Sequence, residues 1–369
     1  MREKFLLDPD VVFLNHGSFG ACPRPVFEEY QRVQLELERN PVDFLSLDRR
    51  FPALIEEARS RLAAYVGALS ANLILVPNAT TGVNAVARSL KLRPGEEIVA
   101  TNHEYGGNDL LWRWVCERAG ARYVVVDTMP ATAVEALLGA CGPRTRLLFV
   151  SHVSSPTALR FPAEELCRRA REAGVPTLVD GAHTPSQVDL DLESLGADFY
   201  TGNCHKWLCS PKGAGFLYAR PDAQALLEPL ALSWDWEETA WADRHRWQGT
   251  KDPSPYLAVP AAIDFQAEHE WNGVRARCHS LAARAWRELS ELLGTEPLAA
   301  AEQEFVQMCT VRLPRCDALA LAARLWHEHR IEVLAQEWRG EPVLRVSFQA
   351  YNDENDLEAL KEVLPRALS

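Results

Sequence analysis

Lys206 follows His205 in Gly202-Asn203-Cys204-His205-Lys206-Trp207, and Asp180 stands upstream in Leu178-Val179-Asp180-Gly181-Ala182-His183. A lysine amine condenses with an aldehyde. A carboxylate at the end of an apolar strand can hold a pyridine nitrogen protonated. Pyridoxal 5'-phosphate (PLP) needs both, a lysine Schiff base and an acid for its ring nitrogen, and the protonated ring then takes up electrons from a carbanion at the substrate α-carbon. Either residue alone would read as ordinary, a surface lysine after a strand or an aspartate capping a helix. Their order, together with the motifs upstream, favours the cofactor chemistry.

Pro77-Asn78-Ala79-Thr80-Thr81-Gly82 joins a predicted strand to a predicted helix. The first-turn N–H groups and the threonine hydroxyls suit a phosphate; a plain N-cap is the other reading, and Lys206 downstream favours phosphate. Tyr105, in Asn102-His103-Glu104-Tyr105-Gly106-Gly107-Asn108, suits stacking on a flat ring or packing at an interface. Ser151-His152-Val153-Ser154-Ser155-Pro156 offers hydroxyls to a ring substituent, or simply a Ser-Pro turn. His183, three residues past Asp180, reads as a structural histidine or as a partner for the phenolic oxygen of PLP, and its place one turn beyond the acid favours the second. Gly249 and Thr250 in Trp247-Gln248-Gly249-Thr250-Lys251-Asp252-Pro253 read as a linker or as a phosphate contact. Arg345, on the apolar strand Val343-Leu344-Arg345-Val346-Ser347, needs an anion. That anion is either a protein carboxylate or a substrate carboxylate.

The elements that must position these groups alternate. Helical patterns at 48–66, 81–90, 109–119 and 163–173 interleave with strand patterns at 73–76, 97–100, 122–126, 146–150, 177–179 and 199–200. This predicts a mostly parallel sheet covered by helices on both faces, with ligands beyond the carboxyl ends of its strands. The strand expected at 215–219 follows too closely for a crossover helix and is expected to add antiparallel or from a different position in the sheet. Past residue 255 the pattern becomes α+β: helices at 256–269, 274–293, 317–328 and 354–363, strands at 307–313, 331–334 and 343–348.

The chain has 369 residues, 47% hydrophobic and 24% charged, with net charge −12. The length suits two domains. No basic block or long apolar run is present, so neither nucleic acid nor a membrane is an expected partner. The acid-containing start is not expected to be a secretory signal. Nine cysteines without paired spacing suit reduced thiols and a cytoplasmic protein. No Cys/His cluster has metal-binding spacing, and no metal is expected. Four of the eleven tryptophans, Trp234, Trp236, Trp241 and Trp247, fall in one stretch, suited to a substrate mouth or to packing.

Four stretches together resemble the class V (fold type I) PLP-dependent enzymes, and within them the isopenicillin N epimerase-like branch. They are Leu14-Asn15-His16-Gly17-Ser18-Phe19-Gly20, the Asp180 motif, Asn203-Cys204-His205-Lys206-Trp207-Leu208, and residues 247–254. The resemblance covers almost the whole chain. It implies an N-terminal segment (1–20) packing with a small α+β domain (256–369), and a large PLP-binding α/β domain (21–255). It implies Lys206 as Schiff-base residue and proton shuttle, Asp180 at the pyridine nitrogen, His183 at the phenolic oxygen and Tyr105 as the stacking aromatic. Ala79, Thr80, Asn203 and His205 would hold the phosphate, with Gly249 and Thr250 reaching the phosphate of a neighbouring subunit in a homodimer. Asn15, His16 and Arg345 would bind substrate. Ser155 stands where many relatives have an asparagine near the ring. Residues 332–341 lack the loop cysteine of related cysteine desulfurases, and Cys316 precedes a predicted helix, which disfavours a persulfide-forming desulfurase.

The implied activity is at the α-carbon of a carboxylate-bearing amino acid: epimerisation or C–S lysis, with a class V aminotransferase or cysteine desulfurase-like reaction as alternatives. A catalytically silent PLP-binding regulatory fold is the alternative from another class. The presence of both Lys206 and Asp180 weighs against it.

Overall fold

The computed structural model describes residues 1–368. A short strand, β1 (Val12–Phe13), precedes the alternating part of the chain: β2 (Leu73–Val76), β3 (Glu97–Thr101), β4 (Arg122–Val126), β5 (Thr145–Ser151), β6 (Thr177–Gly181), β7 (Phe199–Asn203) and β8 (Gly215–Ala219). These last seven form one sheet in the order β2-β8-β7-β6-β5-β3-β4. β4, β3, β5, β6 and β7 run parallel. β8 is antiparallel to both β7 and β2, as its short connection requires. β6 and β7 are buried along their whole length, so both faces of the sheet are covered.

The register sets the ends of the parallel strands level. Ser151 of β5 pairs with Asp180 of β6, and Gly181 with Gly202 of β7. The helix Ala79–Ser89 lies across β7; a Cβ on its Gly82 would overlap the Thr201 hydroxyl, so only glycine permits this approach. The helix starts at Asn78, whose side chain accepts from Thr81 N.

The C-terminal part holds the long helix Trp271–Leu293, then β9 (Met308–Arg312), β10 (Ile331–Glu332), β11 (Leu334–Trp338) and β12 (Glu341–Ser347). β11, β12 and β9 form an antiparallel sheet, while β10 pairs in parallel with β1. The single strand expected at 331–334 is therefore split, each part pairing with a different partner. A hairpin follows instead of an open loop. Its tip, Arg339-Gly340, has φ of +57° and +78°, the sign at both positions that a tight hairpin needs.

One continuous apolar core runs beneath both sheets, joining Val179 and Phe216 to Leu289, Leu344 and Leu360. Each such fully buried side chain stabilises the fold by about 1.5–3 kcal/mol. Among the described residues no helix is long and apolar enough to cross a membrane.

The N-terminal segment meets the large sheet at Gly20. Its φ is +71°, and an added Cβ would overlap the His205 carbonyl oxygen and lie 2.9 Å from Lys206 Cα. Gly20→Ala should cost about 2–4 kcal/mol and lower the thermal midpoint by roughly 3–5 °C. Differential scanning calorimetry checks this; an unchanged midpoint would refute the tight seating of this segment on the lysine loop.

Candidate active site

A cleft of about 490 Å³ opens at the carboxyl ends of β5, β6 and β7. It gathers residues distant in sequence: Asp180 and His183 after β6, Asn203, His205 and Lys206 after β7, and Arg345 from β12. Ala79, Thr80, Tyr105 and Ser155 also line it.

At one end, Asn203 Oδ1 accepts from the Ala79 N–H at 2.8 Å, tying the helix N-terminus to β7. Thr80 faces the same end. His205 Nδ1 donates to the Ala214 carbonyl at 3.3 Å, and burial depresses its pKa to about 4. Its Nε2 therefore becomes a donor only when an anion draws a proton onto the ring.

Asp180 lies at the base. Its Oδ1 accepts from Ala182 N at 2.8 Å and its Oδ2 from Asn108 Nδ2 at 2.7 Å. Burial raises its pKa, opposed by those hydrogen bonds and the nearby Lys206. Lys206 Nζ lies 3.1 Å from His183 Nε2. Loss of hydration, reinforced by the positive charge of Arg345, lowers the amine to about 7. His183 is held below its ordinary value by burial, and Trp207 Nε1 donates to its Nδ1 at 3.2 Å.

Arg345 is 2% exposed. Nη1 donates to the Ser155 carbonyl at 2.6 Å and to Ser155 Oγ at 3.3 Å, and Nη2 donates to Ser18 Oγ at 3.2 Å. Its Nε has no partner among the described residues, and burial depresses its pKa to about 10. Of the two readings the sequence left open, the protein carboxylate is absent: among the described residues Arg345 enters no ion pair. Asp180 enters none either. A cleft with an unpaired buried carboxylate, an unpaired buried guanidinium, an amine stripped of water and a helix N-terminus matches the donor set of PLP with an amino-acid carboxylate. The residues present fit the cofactor.

Two expected substrate contacts do not line the cleft. His16 is fully buried and spends both ring nitrogens on the protein, Nδ1 at 2.8 Å from the Tyr351 hydroxyl and Nε2 at 2.9 Å from the Lys206 carbonyl. Asn15 donates to Glu332 at 3.2 Å and accepts from Ser18 Oγ at 2.7 Å. They brace the site from behind, and Gly17, Ser18 and Phe19 take the wall instead. Gly249 and Thr250 also stand outside the cleft of their own chain. None of the four clustered tryptophans lines it; Trp234 is 83% exposed, and Trp247 packs on Phe51. No cysteine lines it, and Cys204 is buried in the core.

Several groups were not assigned from sequence. Asn108 lay within the Tyr105 motif, one helical turn beyond the tyrosine, and that spacing was the available signal. Glu104 is fully buried, with Thr101 Oγ1 and Ser151 Oγ each at 2.6 Å, and burial raises its pKa to about 8. Leu334 and Gln336 of β11 line the outer wall, carried there by the hairpin.

The sequence model of the family described as "Aminotransferase class-V" matches residues 13–360. The isopenicillin N epimerase of Streptomyces clavuligerus is 40% identical over 98% of this chain and 96% of its own. The hercynylcysteine sulfoxide lyase of Schizosaccharomyces pombe is 24% identical, covering 99% of this chain and 96% of that protein. A solved structure of C-DES with glycine covalently linked to its PLP cofactor superimposes with a TM-score of 0.87, at 23% identity, over 100% of this chain and 99% of that one. With a family match over nearly all its length and a cleft that fits the cofactor, this chain belongs to the class V aminotransferase family of PLP-dependent enzymes.

Proposed function

We propose that the protein acts at the α-carbon of a carboxylate-bearing amino acid, with epimerisation as the primary reading and C–S lysis as the second. The observation that carries the substrate class is Arg345, a buried guanidinium without a protein carboxylate that faces the same cleft as Lys206. Leaving such a charge unpaired costs several kcal/mol, a penalty offset when a substrate carboxylate enters. The likeness to the isopenicillin N epimerase supports the first reading. The likeness to the sulfoxide lyase supports the second.

When bound, PLP supplies an electron-withdrawing ring that stabilises a carbanion at the substrate α-carbon. In the proposed assignment Ala79, Thr80, Asn203 and His205 would hold its phosphate, Asp180 would keep its ring nitrogen protonated, and Tyr105 would supply the aromatic face beside it. His183 would meet its phenolic oxygen, and Ser155, which accepts from Arg345, would serve the ring side of the cleft. Lys206 would hold its aldehyde carbon and, as a free amine, would take the α-proton. An amine near pKa 7 is neutral often enough to do so at physiological pH. Returning a proton to the other face of the α-carbon epimerises it; loss of a β-sulfur substituent gives lysis. A cleft without cysteine disfavours a persulfide held on the enzyme. Transamination would need the same residues.

The reading includes a homodimer with shared sites. Gly249 and Thr250 lie outside their own cleft, while Phe19 and Tyr105 at its mouth are 73% and 47% exposed, a surface suited to a second copy. Nine unpaired cysteines suit a reducing compartment, and we assign the protein to the cytoplasm.

Four outcomes test this. Borohydride reduction of PLP-loaded protein should fix the cofactor mass on the peptide bearing Lys206, and Lys206→Ala should abolish both label and turnover. Following α-deuterium exchange and products across an amino-acid panel then separates epimer from lyase product; no exchange with any amino acid would end the proposal. Arg345→Leu should lower kcat/KM by about 10²–10³-fold, mostly through KM, on carboxylate substrates. It should have little effect on the matching decarboxylated amines, and an equal loss on both would remove Arg345 from carboxylate binding. Thr250→Glu and Lys206→Ala, each inactive alone, should regain roughly a quarter of wild-type activity when co-expressed, because half the dimers are hybrids with one intact site. No recovery would argue for unshared sites.

A further inference from the structure

An indole nitrogen only donates. Trp207 Nε1 therefore gives its hydrogen to His183 Nδ1, 3.2 Å away, and that nitrogen must present a lone pair. Trp207 cannot turn to relieve this. It is fully buried in a cluster with Val153, Ala158 and Met308, its ring packs on His16 at 5.0 Å between centroids, and its carbonyl accepts from Gln266 Nε2 at 2.9 Å. A neutral imidazole with a bare Nδ1 carries its hydrogen on Nε2. That nitrogen is the one 3.1 Å from Lys206 Nζ. An imidazolium is excluded while the contact lasts, because it would set one N–H against another.

We propose that Trp207 is a positioning residue that locks His183 in the Nε2–H tautomer, making it a fixed donor into the cleft and leaving Lys206 as the proton acceptor beside it. The other groups acting on this pair sort consistently. Burial opposes a proton on both Lys206 and His183, and the Arg345 charge opposes one on each as well. Asp180 favours one on Lys206. The consequence for catalysis rests on the function proposed above. His183 cannot take the α-proton, so Lys206 is the base for removal, and an epimerisation run here returns part of the substrate's own α-hydrogen to the product. The tautomer itself does not depend on that function.

The test uses the full-length chain stripped of PLP, with ¹⁵N-labelled histidine and the His183 signals assigned by their loss in His183→Gln. The native chain should show a bare Nδ1 and a protonated Nε2 from about pH 6 to about pH 9. Trp207→Phe keeps the ring packing and removes the donor; it should give a tautomer mixture. It should also raise the pH midpoint for acylation of Lys206, read by peptide mass spectrometry, by about one pH unit, since one hydrogen bond of this kind is lost. An Nδ1–H tautomer or an imidazolium in the native chain would overturn the proposal, as would an unmoved midpoint in a folded Trp207→Phe. If that variant fails to fold, the tautomer of the native chain decides alone. None of these readouts uses turnover, so a wrong reaction class would leave them unchanged.

Discussion

The cleft keeps a carboxylate and a guanidinium out of water without letting them neutralise each other. Burying unpaired ions is among the costliest things a fold can do. Here it is tolerated because each ion is solvated by fixed protein groups instead. Asp180 accepts from a backbone N–H and from Asn108, while Arg345 donates to Ser155 and Ser18. Lys206, close to both, avoids the penalty by shedding its charge more readily than a lysine in water. The site thus rests in a state that a zwitterionic ligand improves. Much of the surrounding architecture serves to prevent collapse of these groups onto one another.

That separation is built from three parts of the chain. The sheet supplies Asp180 and Lys206 at the level ends of β6 and β7, adjacent strands whose register is fixed. β12 brings Arg345 from the smaller sheet, whose hydrophobic side is continuous with the main core, so its distance from β7 is set by packing rather than by a flexible joint. The N-terminal segment closes the arrangement. His16 bridges Tyr351 and the Lys206 carbonyl, and Gly20 sits against the same loop. A histidine without access to the cleft thereby governs where the lysine stands.

What could be read in the sequence follows from this division. Apolar strands ending in Asp180 and in Asn203–Lys206 declare both the sheet and the chemistry, because period and composition are local signals. The antiparallel β8 was readable because a short connection forbids a crossover. The β11–β12 hairpin was not, since Leu334–Trp338 alternates weakly and its turn residues, Arg339 and Gly340, are not the usual Asn-Gly pair. His16 and Asn15 were misplaced for a different reason. Sequence identifies polar residues near a motif but not which way they face, and both point away from the cleft toward protein partners. The partners that set proton positions, Asn108, Glu104 and Trp207, are tertiary facts with no spacing rule to announce them.

This asymmetry has a functional side. The groups proposed to move protons sit on sheet ends and helix starts, where geometry is rigid and the sequence signal strong. The groups able to tell one amino acid from another lie on the outer wall. Leu334 and Gln336 are alternate residues of β11, an edge strand, and so present the same face to the cleft. Leu334 stands directly opposite Arg345 in register, beside the proposed carboxylate position, with Gln336 farther along the wall. Gln336 carries an amide that could meet a polar group beyond the reacting carbon. An edge hairpin can exchange these side chains without disturbing the buried ions behind it. Shared proton chemistry and divergent substrates are therefore what this layout permits, since the costly part of the site and its selective part are held by different elements.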